Sequence, residues 1–378
     1  MSTQRAEKAP SVYELPSISA AAAERILHEA EFTKMISIER KRTERSEVPF
    51  LLMLLETSAD SGVTSIHNGI FSALLSAIRD TDVIGWYCDR TTVGVIFTGL
   101  KKCDRALILD SILVRVRALL RKKLTPELCS QITVSCHFFP DDWNPQSNDR
   151  ACNPALYPDL HHAEKTKRSV LFLKRAIDVV GSALLLVFCA PLFAVVALAV
   201  KLSSPGPVFF RQERVGQYGR PFTFLKFRSM YVNNDDSTHR EYVGKLIAGR
   251  AERMPSSGDT AGVFKLACDR RITPAGRFLR GTSLDELPQF LNVLMGDMSL
   301  VGPRPPIPYE LEAYEIWHRR RLLQVKPGIT GLWQVMGRSR VAFDEMVRLD
   351  LHYASTWSPW LDFKIMMRTP AAVIKGAY

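Results

Sequence analysis

The sequence lacks two features that mark secreted or zinc-binding proteins. Its seven cysteines contain no C-x-x-C pair, and such a scattered, odd-numbered set fits buried thiols in a reducing compartment better than disulfides or zinc sites. The N-terminus has no apolar run behind a basic start, so we predict no cleavable secretory signal. The cysteine pattern indicates the cytosol, and without a signal we expect any membrane element to be internal.

Size and charge set the range of possible functions. A chain of 378 residues is long enough for two domains, or for one domain and a membrane element, and a hydrophobic content of 46% excludes a largely disordered protein. The formal net charge of +11 favours anionic partners. Charge alone does not choose among nucleic acid, an anionic membrane surface and phosphorylated substrates.

A stretch without charged residues lies near the middle of the chain. Positions 179–200 carry no charge, and about twenty apolar residues is the length of a membrane-spanning helix. Pro191 lies at the centre, where it removes a backbone hydrogen bond and breaks the helix. Lys174 and Arg175 flank one end and Lys201 the other, so both ends favour the cytoplasmic side. We therefore predict a re-entrant helix-break-helix over residues 169–202. A kinked helix that crosses the membrane and a buried helix of a soluble protein are the alternatives.

The first part of the chain predicts a small α+β domain. A helix from Ser17 to about Ser46 is expected to fill most of residues 1–48. Residues 49–140 alternate short apolar runs with two helical patterns in the order β-α-β-β-α-β. This order is typical of a split βαβ fold, an antiparallel sheet with both helices on one face. Residues 141–168, rich in Pro, Asp and Asn, are interpreted as a linker.

This first domain resembles a GGDEF-type nucleotide cyclase domain. The hairpin turn where that family carries its signature reads Cys88-Asp89-Arg90-Thr91-Thr92, without the glycine pair or the paired acids. Glu56 alone stands where the family places its first-strand metal carboxylates. We therefore expect a degenerate, cyclase-like fold without catalytic activity.

Two adjacent carboxylates, Asp285 and Glu286, lie between basic stretches. Arg280 precedes them, and Arg304 follows between two prolines. Guanidinium groups suit the recognition of phosphate, because their N–H groups match its oxygens in pairs. The pattern indicates phosphoryl transfer.

The competing interpretation of the acidic pair is a helix capping box, in which Ser283 accepts from the backbone and Glu286 reaches back. Pro288 argues against it, because proline is tolerated only in the first turn of a helix. The helix would then begin near Asp285, and Glu286 would be free for chemistry.

Residues from about Lys174 onward resemble the bacterial sugar transferase family, the monotopic phosphoglycosyl transferases. Several motifs occur in the order typical of that family: Lys174-Arg175-Ala176-Ile177-Asp178, Phe210-Arg211-Gln212-Glu213-Arg214-Val215-Gly216, Lys226-Phe227-Arg228-Ser229-Met230, Arg271-Ile272-Thr273-Pro274-Ala275-Gly276-Arg277-Phe278-Leu279-Arg280, Asp285-Glu286, Val301-Gly302-Pro303-Arg304-Pro305 and Lys326-Pro327-Gly328-Ile329-Thr330-Gly331-Leu332-Trp333-Gln334-Val335. One departure is Ala190, which stands where the family often has serine before the helix-breaking proline. The resemblance implies a compact α/β catalytic domain over residues 203–378, on the cytoplasmic face of a bacterial inner membrane.

The resemblance also implies a reaction and a site. The family transfers a sugar phosphate from a UDP-sugar to polyprenyl phosphate, here undecaprenyl phosphate, releases UMP, and thereby starts the synthesis of a surface polysaccharide or glycoconjugate. Asp285 would be the catalytic nucleophile that forms an aspartyl phosphosugar, and Glu286 would hold Mg²⁺ beside it. Basic side chains would bind the phosphates: Lys226, Arg280, Arg304 and Arg338. We expect a homodimer and no nucleic-acid partner.

A second hypothesis makes the chain a membrane-tethered module that senses a nucleotide or serves as a scaffold, with the cyclase-like domain as its working part. The two hypotheses need different chemistry. The cyclase-like turn has lost its paired acids, whereas Asp285, Glu286 and the surrounding arginines are intact. We therefore favour the transferase.

Overall fold

The computed structural model of the chain describes residues 23–57, 63–100, 104–141, 152–160, 168–232, 237–251, 254–256, 259–263, 271–337 and 340–375. Arg338, one of the predicted phosphate ligands, lies outside these residues. The chain divides into two compact units. The first contains the described residues up to Asp141 together with Asn153–Asp159, and the second contains Cys152 and the described residues from Leu160 onward.

The first unit is a five-stranded sheet with helices on both faces. Its elements are β1 (Ile26–Leu27), α1 (Glu29–Ser46), β2 (Phe50–Thr57), α2 (Val63–Leu75), β3 (Val83–Cys88), β4 (Thr92–Phe97), α3 (Arg105–Lys123), α4 (Pro126–Ser130) and β5 (Ile132–Phe139). The strands are ordered β1-β3-β4-β2-β5, with β2 antiparallel to both β4 and β5. The predicted order β-α-β-β-α-β is therefore present from β2 to β5.

Alternating apolar residues explain how this sheet is covered. Leu51, Met53 and Leu55 of β2 face one side, where they pack in a single core with Ile70 of α2 and Val116 of α3. Helices α2 and α3 thus share one face of the sheet, as predicted. On the other face α1 packs its Phe32 against Gly85 and Gly94, which are paired in β3 and β4.

The predicted helix from Ser17 to Ser46 is interrupted within the described residues. Helix α1 begins only at Glu29, and Ile26 and Leu27 form β1, which pairs in parallel with β3. This short strand pairs backbone groups at the edge of β3 that would otherwise be left open. The part of that prediction on residues 1–22 lies outside the described residues.

Part of the predicted linker packs on the first unit. Arg40 of α1 donates to Asp159 at 2.6 Å, and its guanidinium carbon lies 4.5 Å from the centre of the Tyr157 ring. Asn153–Asp159 thereby becomes part of that unit.

The second unit has short strands and many helices. Its elements are α5 (Arg168–Phe188), α6 (Ala190–Ser203), β6 (Phe209–Val215), β7 (Pro221–Phe227), α7 (Ser237–Ile247), β8 (Met254–Ser256), β9 (Asp259–Val263), α8 (Pro274–Thr282), α9 (Gln289–Met295), β10 (Ser299–Val301), α10 (Pro308–Glu312), α11 (Arg321–Gln324), β11 (Gly328–Thr330), α12 (Leu332–Met336), α13 (Phe343–Thr356) and α14 (Pro359–Lys375). Antiparallel β6 and β7 form a hairpin, and β10 pairs in parallel with β11. The whole chain is thus of the mixed α+β class that the sequence predicts.

The uncharged segment is broken. Helices α5 and α6 meet at an angle of 63°, with the break at Cys189 and Pro191 in the first turn of α6. Among the described residues no single helix is long and apolar enough to cross a membrane, whereas this bent pair is by length and composition. The break expected from Pro191 is present, and its position in a membrane stays a prediction.

Buried polar contacts hold the start of this helix pair to the rest of the second unit. Lys174 Nζ lies 2.6 Å from an Asp362 carboxylate oxygen. Arg175 donates to the carbonyl oxygens of Val293 and Leu294 at the end of α9. Asp178 accepts from the Leu300 N–H at 2.9 Å. The two basic residues that flank the start of the uncharged segment therefore bind protein groups.

The far end of the pair is held in the same way. The Arg228 guanidinium is buried and donates to the carbonyl oxygens of Ser204 and Pro205, which directly follow α6. The unpaired carbonyls at the end of a helix need such donors. Both ends of the bent pair are consequently fixed to one body.

Candidate functional site

The acidic pair lies in a tight turn between two helices. Leu284–Glu286 forms one turn of 3₁₀ helix, which follows α8 and precedes α9. Ser283 has a φ of 56°, and its side chain makes no capping hydrogen bond, so the capping-box interpretation is wrong. Helix α9 begins at Gln289 rather than near Asp285.

Apolar contacts place this turn against the bent helix pair. Leu284 and Leu287 pack with Val196 and Val200 of α6 and with Phe227 of β7. The residues between them, Asp285 and Glu286, therefore lie at the base of α6.

Close backbone packing fixes α8, the helix before the turn. Thr273 caps it by accepting from the Gly276 N–H at 2.9 Å. Gly276 lies directly on the Ser229 carbonyl, where any Cβ would overlap that oxygen. Helix α8 is thereby joined to the end of β7, the strand that carries Lys226.

An asparagine fixes α9, the helix after the turn. The buried Asn292 side chain donates to the Thr223 carbonyl at 2.7 Å and accepts from the Leu225 N–H at 3.0 Å. Both bonds are to β7, so the amide sets the position of α9 relative to that strand.

The environment of Asp285 destabilises its charge. The residue is 7% exposed, and burial, with the neighbouring Glu286 charge, raises the pKa of Asp285 to about 6, although Lys226 and Arg280 oppose the shift. Burial also lowers the pKa of Lys226 to about 8, although Asp285 favours the charged form. A carboxylate and an ammonium group thus share a poorly hydrated site, and both titrate near neutral pH.

The predicted phosphate ligands surround the pair at different depths. Arg304 is partly exposed, and its Nη1 lies 3.9 Å from a Glu286 carboxylate oxygen. Arg280 lies on the exposed side of the last turn of α8, and its charge acts on both Asp285 and Lys226. Of these three predicted ligands, Lys226 is half-buried, and Arg280 and Arg304 can reach an incoming anion.

Sequence reasoning missed Arg214. Its guanidinium is buried, lies 5.1 Å from the centre of the Phe224 ring, and repels the charge of Lys226. In the β6–β7 hairpin Arg214 pairs with Phe222 and Phe210 pairs with Lys226, which puts all four on one face. Strand alternation is the signal that could have placed Arg214 with the site.

The site fits a magnesium ion held mainly by substrate. Among the described residues no group of three His, Cys, Asp or Glu side chains could hold a metal. Mg²⁺ usually takes one or two protein carboxylates and completes its shell with water and substrate phosphate. The Glu286 side chain is 34% exposed and stands beside a second carboxylate, so a cation there would relieve their repulsion.

The arrangement can bind a diphosphate group and present a carboxylate to its phosphorus. It lies within a segment that matches the family model "Bacterial sugar transferase" over residues 169–376. The chain belongs to the bacterial sugar transferase family.

Curated relatives agree with this assignment. The second unit is similar to galactosyl transferase CpsE of Streptococcus agalactiae (44% identity, 56% of this chain and 44% of that protein). Undecaprenyl-phosphate galactose phosphotransferase of Salmonella typhimurium is 44% identical over 56% of this chain and 43% of its own length. UDP-glucose:undecaprenyl-phosphate glucose-1-phosphate transferase of Escherichia coli is 42% identical over 54% of this chain and 40% of its own length. The chain spans less than half the length of these relatives.

A search of solved structures finds a similarity to a structure described as a DGC protein from Thermotoga maritima. The alignment covers 31% of this chain and 84% of the other, at 16% identity and a TM-score of 0.26.

Proposed function

We propose that the protein transfers a phospho-sugar from a UDP-sugar to undecaprenyl phosphate. An Asp285 carboxylate oxygen forms a bond to the β-phosphorus of the donor, and the bond from that phosphorus to the bridging oxygen breaks, so UMP leaves. A phosphate oxygen of the acceptor then attacks the same phosphorus, which gives polyprenyl-diphosphate-sugar and restores the carboxylate. Each step exchanges one P–O bond for another.

The buried Asp285 at the base of α6 carries this proposal. Its charge is poorly solvated, so the carboxylate is a better nucleophile than one in water, and Lys226 and Arg280 provide positive charge beside it. A covalent intermediate also suits a soluble donor and a lipid acceptor, which then need not occupy the site together. Bound Mg²⁺, held by Glu286, would neutralise charge on the diphosphate.

The names of the relatives support the two substrates. One relative is named for transfer of glucose 1-phosphate from UDP-glucose to undecaprenyl phosphate, and another for galactose phosphate transfer to undecaprenyl phosphate. The direct test is UMP release from UDP-glucose, UDP-galactose and other UDP-sugars with undecaprenyl phosphate present. Release that requires both a UDP-sugar and the lipid supports the proposal. A protein that served only as a tether would release no UMP from any donor.

The protein is proposed to lie on the cytoplasmic face of the inner membrane, with α5 and α6 as a re-entrant pair. The contacts at both ends of the pair support this placement, because Arg175 and Arg228 both bind groups of the second unit. A helix pair whose two ends are fixed to one globular body returns to the side from which it entered.

Cysteine labelling tests the re-entrant arrangement. Lys174 is unsuitable as a probe because it is buried in an ion pair, so we choose the exposed polar positions Ser169 and Lys201 at the two ends. In a variant without native cysteines, Ser169→Cys and Lys201→Cys should both react with a membrane-impermeant maleimide only in inside-out vesicles. Reaction of the two positions from opposite sides would show a crossing helix and overturn the proposal.

The pH dependence of kcat/KM should have two limbs. Asp285 attacks only when ionised, so activity should rise as the pH passes about 6, and Lys226 binds phosphate best when charged, so activity should fall above about 8. Lys226→Arg replaces the titrating amine with a group that stays protonated. It should move the alkaline limb above pH 9 and leave the acid limb in place; an unmoved alkaline limb would exclude Lys226 as its source.

The first unit is proposed to act through its surfaces as an assembly element of a homodimer. Its β3–β4 turn at Asp89–Thr91 offers a single acid, and making a cyclic dinucleotide needs several metal carboxylates. Sedimentation of the detergent-solubilised protein measures its oligomeric state, and a monomer would contradict this part of the proposal.

A further inference from the structure

The segment that carries Arg304 is held by its backbone oxygens. Every carbonyl from Pro303 to Pro306 accepts a hydrogen bond. The pairs are Gly328 N to Pro303 O at 2.8 Å, Arg321 Nη2 to Arg304 O at 2.8 Å, Arg214 Nη1 to Pro305 O at 2.8 Å and Val215 N to Pro306 O at 2.9 Å. The surrounding prolines also restrict φ. The backbone of Arg304 is therefore fixed although its side chain is partly exposed.

One of these donors belongs to a buried ion pair. Arg321 and Asp350 have side chains that are 2% and 1% exposed, and Arg321 Nη1 lies 3.2 Å from an Asp350 carboxylate oxygen. Among the described residues, neither the carboxylate oxygens of Asp350 nor Arg321 Nη1 has a hydrogen-bond partner, so the contact between the two side chains is an ion pair without hydrogen-bond geometry. Each of the two buried charges is thus neutralised by the other. Nη2 of the same guanidinium donates to the Arg304 carbonyl.

Stability alone does not explain such a pair. Apolar residues of similar volume often replace a buried ion pair without loss of stability, because desolvation of the charges offsets their attraction. What apolar side chains cannot do is donate to the Arg304 carbonyl. A planar guanidinium has fixed donor directions, so Asp350 on one side sets the direction of the donor on the other.

We infer that Arg321 and Asp350 form a positioning pair for Arg304, which fixes the direction of the Arg304 guanidinium toward Glu286 and the donor diphosphate. The inference rests on the proposed function of the site. Negative charge on the leaving UMP grows as the P–O bond breaks, so a misplaced Arg304 loses stabilisation mainly in the transition state. A defect in positioning should therefore lower kcat more than it raises KM.

A double-mutant cycle tests this inference. Arg321→Lys keeps the charge opposite Asp350 but loses the fork that reaches both partners. It should lower kcat for UMP release about tenfold, with KM changed by less than about threefold. In an Arg304→Ala background the same substitution should lower kcat by less than about twofold, because the group that Arg321 positions is already absent. Arg40→Lys, in the first unit's pair between buried Arg40 and half-buried Asp159, is the control and should leave kcat unchanged.

The outcomes distinguish failure of the positioning inference from failure of the proposed function. A tenfold loss in both backgrounds means that Arg321 acts independently of Arg304, and the inference is wrong. If the wild-type protein releases no UMP from any donor, the proposed function fails, and the same cycle is then read from calorimetric binding of UDP with Mg²⁺, where additive losses again overturn the inference. If Arg321→Lys does not fold, Asp350→Asn takes its place. Failure of both variants to fold would make the pair part of the core and would overturn its positioning role.

Discussion

Replacement of Asp285 by asparagine is expected to abolish UMP release while leaving the protein folded. The amide has nearly the same shape as the carboxylate but cannot form the bond to phosphorus, and loss of a covalent nucleophile lowers kcat by at least about 10⁴-fold. The wild-type protein incubated with donor alone should carry a sugar-phosphate mass on the peptide that contains Asp285. The variant should carry none.

The same substitution should stabilise the fold above pH 6. The pKa of Asp285 is raised from 3.8 to about 6, so folding favours the protonated form, and the cost of the ionised form accumulates as the pH rises from 3.8 to about 6 and is complete above that range. Asparagine removes this cost, which is at most about 3 kcal/mol for a shift of this size. The thermal midpoint of the variant should exceed that of the wild type at pH 8 and match it at pH 4.

Asp297→Asn is the control for both measurements, because it makes the same chemical change in the turn just after α9, away from the acidic pair. It should keep activity within a few fold of the wild type, a span of about 1 kcal/mol in transition-state energy. A sugar-phosphate adduct on any residue other than Asp285 would contradict the assignment of the nucleophile. So would an Asp285→Asn protein that keeps more than about 1% of wild-type kcat.

The largest loss of stability is expected from Lys174→Met. Lys174 and Asp362 have side chains that are 13% and 12% exposed, so the substitution leaves the Asp362 carboxylate buried without its cation. Breaking a buried pair on one side costs about 3–5 kcal/mol, and the hydrogen bonds that Tyr353 and Trp357 donate to Asp362 place the expected loss near the lower end. Guanidinium unfolding in detergent micelles measures it.

Two further variants test whether burial of the Lys174–Asp362 pair causes the predicted loss of stability. Lys245→Met removes a lysine from an ion pair with Glu241 whose side chains are 57% and 68% exposed, and such a surface pair contributes little to stability because water screens it. Lys174→Met combined with Asp362→Leu should recover at least half of the loss, because no buried charge is left unpaired. If Lys174→Met and Lys245→Met lower the free energy of unfolding equally, the buried pair does not hold the helix pair.

Local patterns predicted the parts of the fold that local forces set. The alternation of Leu51, Met53 and Leu55 is enough to define β2, because side-chain burial on a sheet has a period of two. Pro191 is enough to predict a break, because the missing N–H affects its own helix. The adjacency of Asp285 and Glu286 is likewise visible in the sequence.

Contacts between distant segments determine the parts of the fold and the site that the sequence did not predict. Ile26 and Leu27 fit a helix until the free edge of β3, far along the chain, is known. Lys174 has the same local sequence whether it meets a lipid headgroup or Asp362, and its true partner is 188 residues away. Arg321 stands in a run of three arginines and pairs with Asp350 in the core. No motif distinguishes it from its neighbours.

The long separation between Lys174 and Asp362 also bears on how the protein is made. Synthesis proceeds from the N-terminus at about 5–20 residues per second, so α5 leaves the ribosome roughly 10–40 s before its ion partner exists. During that interval Lys174 has no carboxylate from α14, and an unpaired ammonium group stays in water. In the proposed re-entrant arrangement, the first arm of the helix pair would therefore reach its final depth only after α14 has been translated and folded. Docking of α5 onto the second unit is in this respect completed by α14, the last helix that the structure describes.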